Sequence, residues 1–167
     1  LWPGTGSSGW EIALVNLLEP GDAVLAAVGG DFADRFAKVA IQLGLDTRRV
    51  DVPWGQAVTA AAIREALEAH PDVKAVIMVH NETSTGVTNP LAEIGPVVRE
   101  HGALLLVDSV SGAGALPIEM DEWGLDVVSS GSQKAWMCPP GLSIVAFSPR
   151  ALDRAAELAG RGFPRFV

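Results

Sequence analysis

Short apolar runs, each too brief to be a helix, constrain this chain more than any other feature. Ala23 to Val28, Lys74 to His80, Ala103 to Val107, Leu125 to Ser129 and Leu142 to Phe147 all read as strands. The most apolar of them are greasy at successive positions rather than at alternate ones. A strand apolar on both sides must be covered on both faces, which points to a mostly parallel sheet between helical layers. The helical signals lie between the strands. Ser8 and Glu11 have capping-box spacing for a helix from near Ser8 to Leu18, and Asp31 caps a second helix to about Leu43, ended by Gly44. Thr59 to Ala69, Pro90 to His101 and Pro149 to Ala159 complete the helices, and Thr47 to Val52 adds a strand. The expected fold is α/β, a three-layer α/β/α arrangement around a mostly parallel sheet. In such sheets ligands sit beyond the carboxyl ends of the strands. Asp108, the stretch after His80 and the loop around Lys134 all follow strand ends, so one rim should gather them.

The 167 residues suit one domain with a real core, and a mean hydropathy of +0.28 suits one that hides its sheet on both sides. Net charge is −8 with no offsetting cluster of Lys and Arg, which disfavours nucleic acid and anionic membranes as partners. No apolar run reaches ~18 residues, so no membrane span is expected. Leu1-Trp2-Pro3-Gly4 lacks the marks of a signal peptide. Cys138 is the only cysteine, which excludes an internal disulfide and makes a reducing cytoplasm the expected location.

Two side chains carry the chemistry. The run Leu104-Leu105-Leu106-Val107 stops at Asp108, and 26 residues later Lys134 stands in Ser130-Gly131-Ser132-Gln133-Lys134-Ala135. No other charge lies between Ser129 and Pro149, and Ala135-Trp136-Met137 follows directly, so Lys134 is expected to be buried. A buried lysine loses its proton readily and becomes an amine nucleophile, and a buried acid needs a cationic partner. Pyridoxal phosphate joins both needs, with an aldehyde for the lysine and a ring nitrogen for the acid. Taken singly, an exposed loop lysine and a strand-end acid capping a turn remain alternatives. Gly4-Thr5-Gly6-Ser7-Ser8-Gly9 matches the dinucleotide fingerprint, with Asp31 near the place of a ribose-binding acid. Only three residues precede Gly4, so a phosphate at a helix N-terminus is the broader reading. His80 to Gly86 is rich in hydroxyls but also reads as an ordinary turn. Phe32 offers a ring to a flat ligand or simply packs in the core. His70, His80 and His101 lack ligand spacing, so no metal is expected.

The strings HNETSTG (80–86), LLLVDSVSG (104–112), MDEWGLDVV (120–128) and SGSQKAWMCPPG (130–141) together resemble the class V aminotransferases of pyridoxal-phosphate fold type I. Within that family the likeness is to the alanine–glyoxylate and serine–glyoxylate group. The resemblance implies an enzyme that moves an amino group between alanine or serine and an oxoacid such as glyoxylate. It implies Lys134 as Schiff-base lysine and proton shuttle, Asp108 on the ring nitrogen, and Thr83 near the phenolic oxygen. Gln133 with Thr5, Gly6 and Ser7 would hold the phosphate, and Phe32 would stack on the pyridine. Gln133 before the lysine, and Cys138 only four residues after it, speak against a cysteine desulfurase. Residues 1–167 would form the large cofactor-binding domain of a homodimer. An N-terminal arm and a C-terminal small domain with the substrate-carboxylate arginine are missing, and Arg161 and Arg165 are not obvious replacements. Two other readings stay open: a dinucleotide-binding domain, and a truncated, non-catalytic piece of this fold.

Overall fold

The computed structural model describes residues 1–159; Arg161 and Arg165 lie outside them. Along the chain run β1 (Trp2–Pro3), α1 (Gly6–Leu17), β2 (Ala23–Val28), α2 (Asp31–Gln42), β3 (Asp46–Asp51), α3 (Ala60–Ala69) and β4 (Ala75–Val79). There follow β5 (Asn81–Glu82), β6 (Val87–Thr88), α4 (Leu91–His101), β7 (Leu104–Asp108), α5 (Met120–Trp123), β8 (Val127–Gly131), β9 (Leu142–Phe147) and α6 (Pro149–Leu158). One sheet has the order β1-β9-β8-β7-β4-β2-β3. Its strands from β8 to β3 are parallel neighbours, while β9 runs antiparallel to β8 and β1 antiparallel to β9. Strands β5 and β6 form a separate hairpin where the sequence suggests only a turn.

Helices cover both faces, as the unbroken apolar strands require. In β2, Val24, Ala26 and Val28 join a core with Leu14 and Leu17 of α1 and Phe36 of α2. Ala23, Leu25 and Ala27, the alternate residues, join a second core with Ile63 and Leu67 of α3 and Ile94 and Val98 of α4. Each fully buried Val or Leu contributes roughly 1.5–3 kcal/mol, and central strands such as β2, β4 and β7 supply them to both cores.

The connections create a crevice. Helix α2 carries the chain outward from β2 to β3, and α3 brings it back to β4, on the other side of β2. Helix α4 then continues in that direction to β7. The order reverses between β2 and β4, so the loops leaving their carboxyl ends diverge. The outer strand β3 is polar. Arg48 pairs with Asp46 and Asp72, and Arg49 with Asp34 and Asp51.

Two helix starts differ from expectation. Helix α1 begins at Gly6 with Thr5 as its cap, and the Ser8 hydroxyl turns back to accept from the Thr5 N–H at 3.1 Å. Ser8 thus closes a box with Thr5 rather than opening one with Glu11. In α2 the cap position belongs to Gly30, and Asp31 is the first helical residue, paired with Arg35 one turn on at 2.7 Å.

Candidate active site

Asp108 ends β7 and is 3% exposed. Its Oδ2 accepts from the Trp10 indole Nε1–H at 2.8 Å, and its Oδ1 from the Val110 N–H at 2.7 Å. Burial pushes its pKa up to about 6, with the Glu82 charge adding to the rise. The two N–H donors and the Lys134 charge pull it down without cancelling the burial. No cation forms an ion pair with Asp108 among the described residues. The expected cationic partner is therefore replaced, within this chain, by neutral donors. Trp10 lies 98 residues away in sequence and is stacked on Phe36 with ring centroids 5.1 Å apart.

Lys134 lies on the same rim but is exposed, contrary to expectation. The apolar residues after it do not enclose it: Trp136 and Met137 are themselves 45% and 91% exposed. The loop is nonetheless firmly built. Buried Ser132 donates its hydroxyl to the Pro139 carbonyl at 2.7 Å, and its N–H to the Leu142 carbonyl at 3.0 Å. The Trp136 indole donates to Ser130 Oγ at 2.9 Å. Met137 takes a φ of +54°, a left-handed conformation uncommon outside glycine.

The glycine loop meets this structure from the other side. A Cβ on Gly6 would stand 2.4 Å from Val110 Cγ2, so only glycine lets the start of α1 lie against the loop after β7. The point where a Cβ on Gly131 would stand is 3.0 Å from Gln133 Oε1 and 3.6 Å from the Gly6 nitrogen. Gly6, Gly131 and Gln133 are thus neighbours. Thr5 and Ser7 are exposed at this helix start, where N–H groups lack intrahelical acceptors. The fingerprint reading requires a strand–turn–helix–strand unit. Here β1, the strand before the loop, pairs antiparallel with β9 at the sheet edge, far from β2. The dinucleotide reading is not favoured.

Across the rim, Thr83 Oγ1 donates to Ser111 Oγ at 2.9 Å, and Ser111 Oγ donates to the Asn81 carbonyl at 2.9 Å. This ties the loop after β4 to the loop after β7. Phe32 is half-buried, packs against the first core, and carries the Arg35 guanidinium 5.4 Å from its ring centre. His80 is buried, lies 3.0 Å from Ser109 Oγ through Nδ1, and has its pKa lowered by burial. Glu82 is buried as well, and its carboxylate receives the first N–H groups of α2. In the sequence Glu82 shows only as an acid in a polar turn.

A cavity of about 610 Å³ lies at the opposite rim, against Lys74, Leu104, Arg150 and Arg154. Its cations are engaged with Asp22, Asp126 and Glu157, and none of the catalytic candidates reaches it. No helix among the described residues is long and apolar enough to cross a membrane.

The sheet order, with its parallel strands β8 to β3 and the antiparallel β9, is that of the aminotransferase fold. The chain belongs to the class-V aminotransferase family, whose profile matches residues 2–165. It is 45% identical over 163 residues to an L-aspartate–glyoxylate aminotransferase of Paracoccus denitrificans, covering 95% of this chain and 41% of the relative. A serine–glyoxylate aminotransferase of Methylorubrum extorquens is 42% identical, covering 96% of this chain and 41% of that protein. The crystal structure of an alanine–glyoxylate aminotransferase from Nostoc sp. superposes with a TM-score of 0.88 at 42% identity, covering 92% of this chain and 41% of that one. The chain therefore spans about two fifths of the relatives it matches. Family and fold imply pyridoxal phosphate as the cofactor.

Proposed function

We propose that residues 1–167 are the cofactor-binding large domain of an aminotransferase that moves an amino group from a small amino acid to an oxoacid such as glyoxylate. The observation that carries this reading is Asp108. Among the described residues its buried carboxylate receives only neutral N–H donors, and it stands on the same rim as the exposed Lys134, whose charge it feels. A protonated pyridine nitrogen would supply the missing cation, so the residues fit the group. The α1 start, with Thr5, Gly6, Ser7 and nearby Gln133, would receive the phosphate through N–H, hydroxyl and amide donors. Phe32 would cover a ring face, and Thr83 would donate to the phenolic oxygen.

Bound there, pyridoxal phosphate supplies an aldehyde for amine attachment and a ring that draws electrons from the substrate's α-carbon. Asp108, through an ionised carboxylate, would keep a proton on the ring nitrogen. Trp10 and Val110 hold that carboxylate in place. The Lys134 Nζ would hold the cofactor at rest, and the freed amine would carry a proton to and from the substrate's α-carbon. A positioned base of this kind contributes ~10²–10⁴-fold. Relatives are named for alanine, serine and aspartate, so all three are the donors to assay. Exposed Trp2, Trp136, Met137 and Leu142 beside the lysine loop support a second subunit covering it, as in a homodimer. The lone Cys138 supports a cytoplasmic setting.

The test is borohydride reduction of the protein with pyridoxal phosphate, followed by peptide mapping. The label is expected on Lys134, and Lys134→Ala should lose the label, the visible absorbance band and glyoxylate-dependent turnover. A label on another lysine, or a band that survives the substitution, would overturn the assignment.

A further inference from the structure

Glu82 sits where the sheet order reverses, between the carboxyl ends of β2 and β4. It is 2% exposed, yet its carboxylate makes no ion pair among the described residues. Instead it gathers donors from both sides of the crevice. From α2, Phe32 N–H donates to Oε1 at 3.3 Å and Ala33 N–H to Oε2 at 3.0 Å. From its own loop, Ser84 donates to Oε1 through N–H at 3.1 Å and through Oγ–H at 2.6 Å. Ser84 Oγ in turn accepts from the Asp31 N–H at 3.0 Å. The first three N–H groups of α2 are thus satisfied by a loop some 50 residues away. An anion at a helix start is favoured by both the free N–H groups and the helix dipole. The approach is tight: a Cβ on Gly30 would stand 2.4 Å from Glu82 Cγ.

The neighbours of this carboxylate give it a further consequence. Phe32, the ring candidate, is held by its own backbone N–H. Thr83, the hydroxyl candidate, is the next residue along the chain from Glu82. One side chain therefore links the two groups that flank the crevice. We propose that Glu82 is a positioning residue that fixes the Phe32 ring relative to the Thr83 hydroxyl and so sets the slot for the flat cofactor ring. This rests on the aminotransferase reading. A plain helix cap would stabilise α2 without coupling to the cofactor, and that difference is measurable.

The experiment is a double-mutant cycle on cofactor affinity, using the purified full-length protein, with Glu82→Gln and Phe32→Leu singly and together. Affinity is read by titrating pyridoxal phosphate, and ring orientation by visible-band circular dichroism. Glu82→Gln keeps the shape but turns one acceptor into a donor, and should weaken binding by about tenfold. Once Glu82 no longer places the ring, Phe32→Leu should cost little more, so the two losses should not multiply. The visible dichroism should change in Glu82→Gln. Losses that multiply independently, with unchanged dichroism, would overturn the proposal. If Glu82→Gln fails to fold, Ser84→Ala carries the same cycle with an expected loss of about threefold, and independent losses there overturn it equally. A parent protein with no visible band on saturation would instead refute the aminotransferase reading, and this inference with it.

Discussion

Asp108 should make the cofactor-free protein less stable at neutral pH than a neutral isostere would, and the size follows from its burial. Its pKa stands at about 6 in the folded chain against 3.8 for an ordinary carboxyl. That gap of about 2 pH units corresponds to about 3 kcal/mol at ~1.36 kcal/mol each. Between those two values the folded state binds more protons than the unfolded state. Stability therefore rises as pH falls through 6, and the gain is complete only below 3.8. Between pH 8 and pH 5 the Asp108 contribution is about 1.4 kcal/mol. Asp108→Asn has no proton to take up and should lack this slope. At pH 8 the variant gains by removing a buried charge, but its amide N–H₂ faces the Trp10 or Val110 donor, which offsets about 1–2 kcal/mol. Urea unfolding of both cofactor-free proteins at pH 5 and pH 8 measures the slopes. Adding pyridoxal phosphate at about 100 times its dissociation constant should then stabilise the parent by ~2.7 kcal/mol, and the variant by much less. If parent and variant show the same change from pH 8 to pH 5, the carboxylate is not strained by burial and the reasoning fails.

Other substitutions test the surroundings. Trp10→Phe keeps an aromatic ring on Phe36 but removes the indole donor, and should cost about 1–2 kcal/mol in urea unfolding while shifting the Asp108-linked pH slope upward in pH. Gly6→Val drives a side chain into Val110, and should lower stability by about 1–3 kcal/mol and weaken cofactor binding; unaltered affinity in a titration would argue against the glycine-loop phosphate site. Arg150→Ala leaves the fully buried Asp126 with only the Leu105 N–H and Ser148 hydroxyl, and should cost about 2–3 kcal/mol, less than for a wholly buried pair because Arg150 is 34% exposed. Adding Asp126→Asn should recover part of that loss in the same assay.

Local chemistry was legible in the sequence, and pairing across long separations was not. The apolar run into Asp108 announced a buried strand end, and the register Val79↔Asp108 sets the carboxyl ends of β4 and β7 side by side, while β8 pairs its Ser129 with Asp108 and runs on to Gly131, two residues past the expected end. Helix limits came within one or two residues where Gly44, Thr59 and Pro149 mark them. The partners of Asp108 and Glu82 were hidden, because Trp10 and the α2 N–H groups come from remote segments that only the folded sheet brings near. Lys134 misled for a different reason. Its apolar followers suggest burial, but Trp136 and Met137 lie outward in this chain, and hydrophobicity alone does not say what covers a residue. The two-residue β1 carries too short a pattern for any periodicity to register.

The charge-laced strand β3 also bears on what this chain avoids. A free sheet margin is an adhesive, offering rows of amide and carbonyl groups to any passing extended peptide. Here an intruder would have to strip water from alternating guanidinium and carboxylate groups that already satisfy one another. The sheet is thereby discouraged from growing into fibrils at that margin.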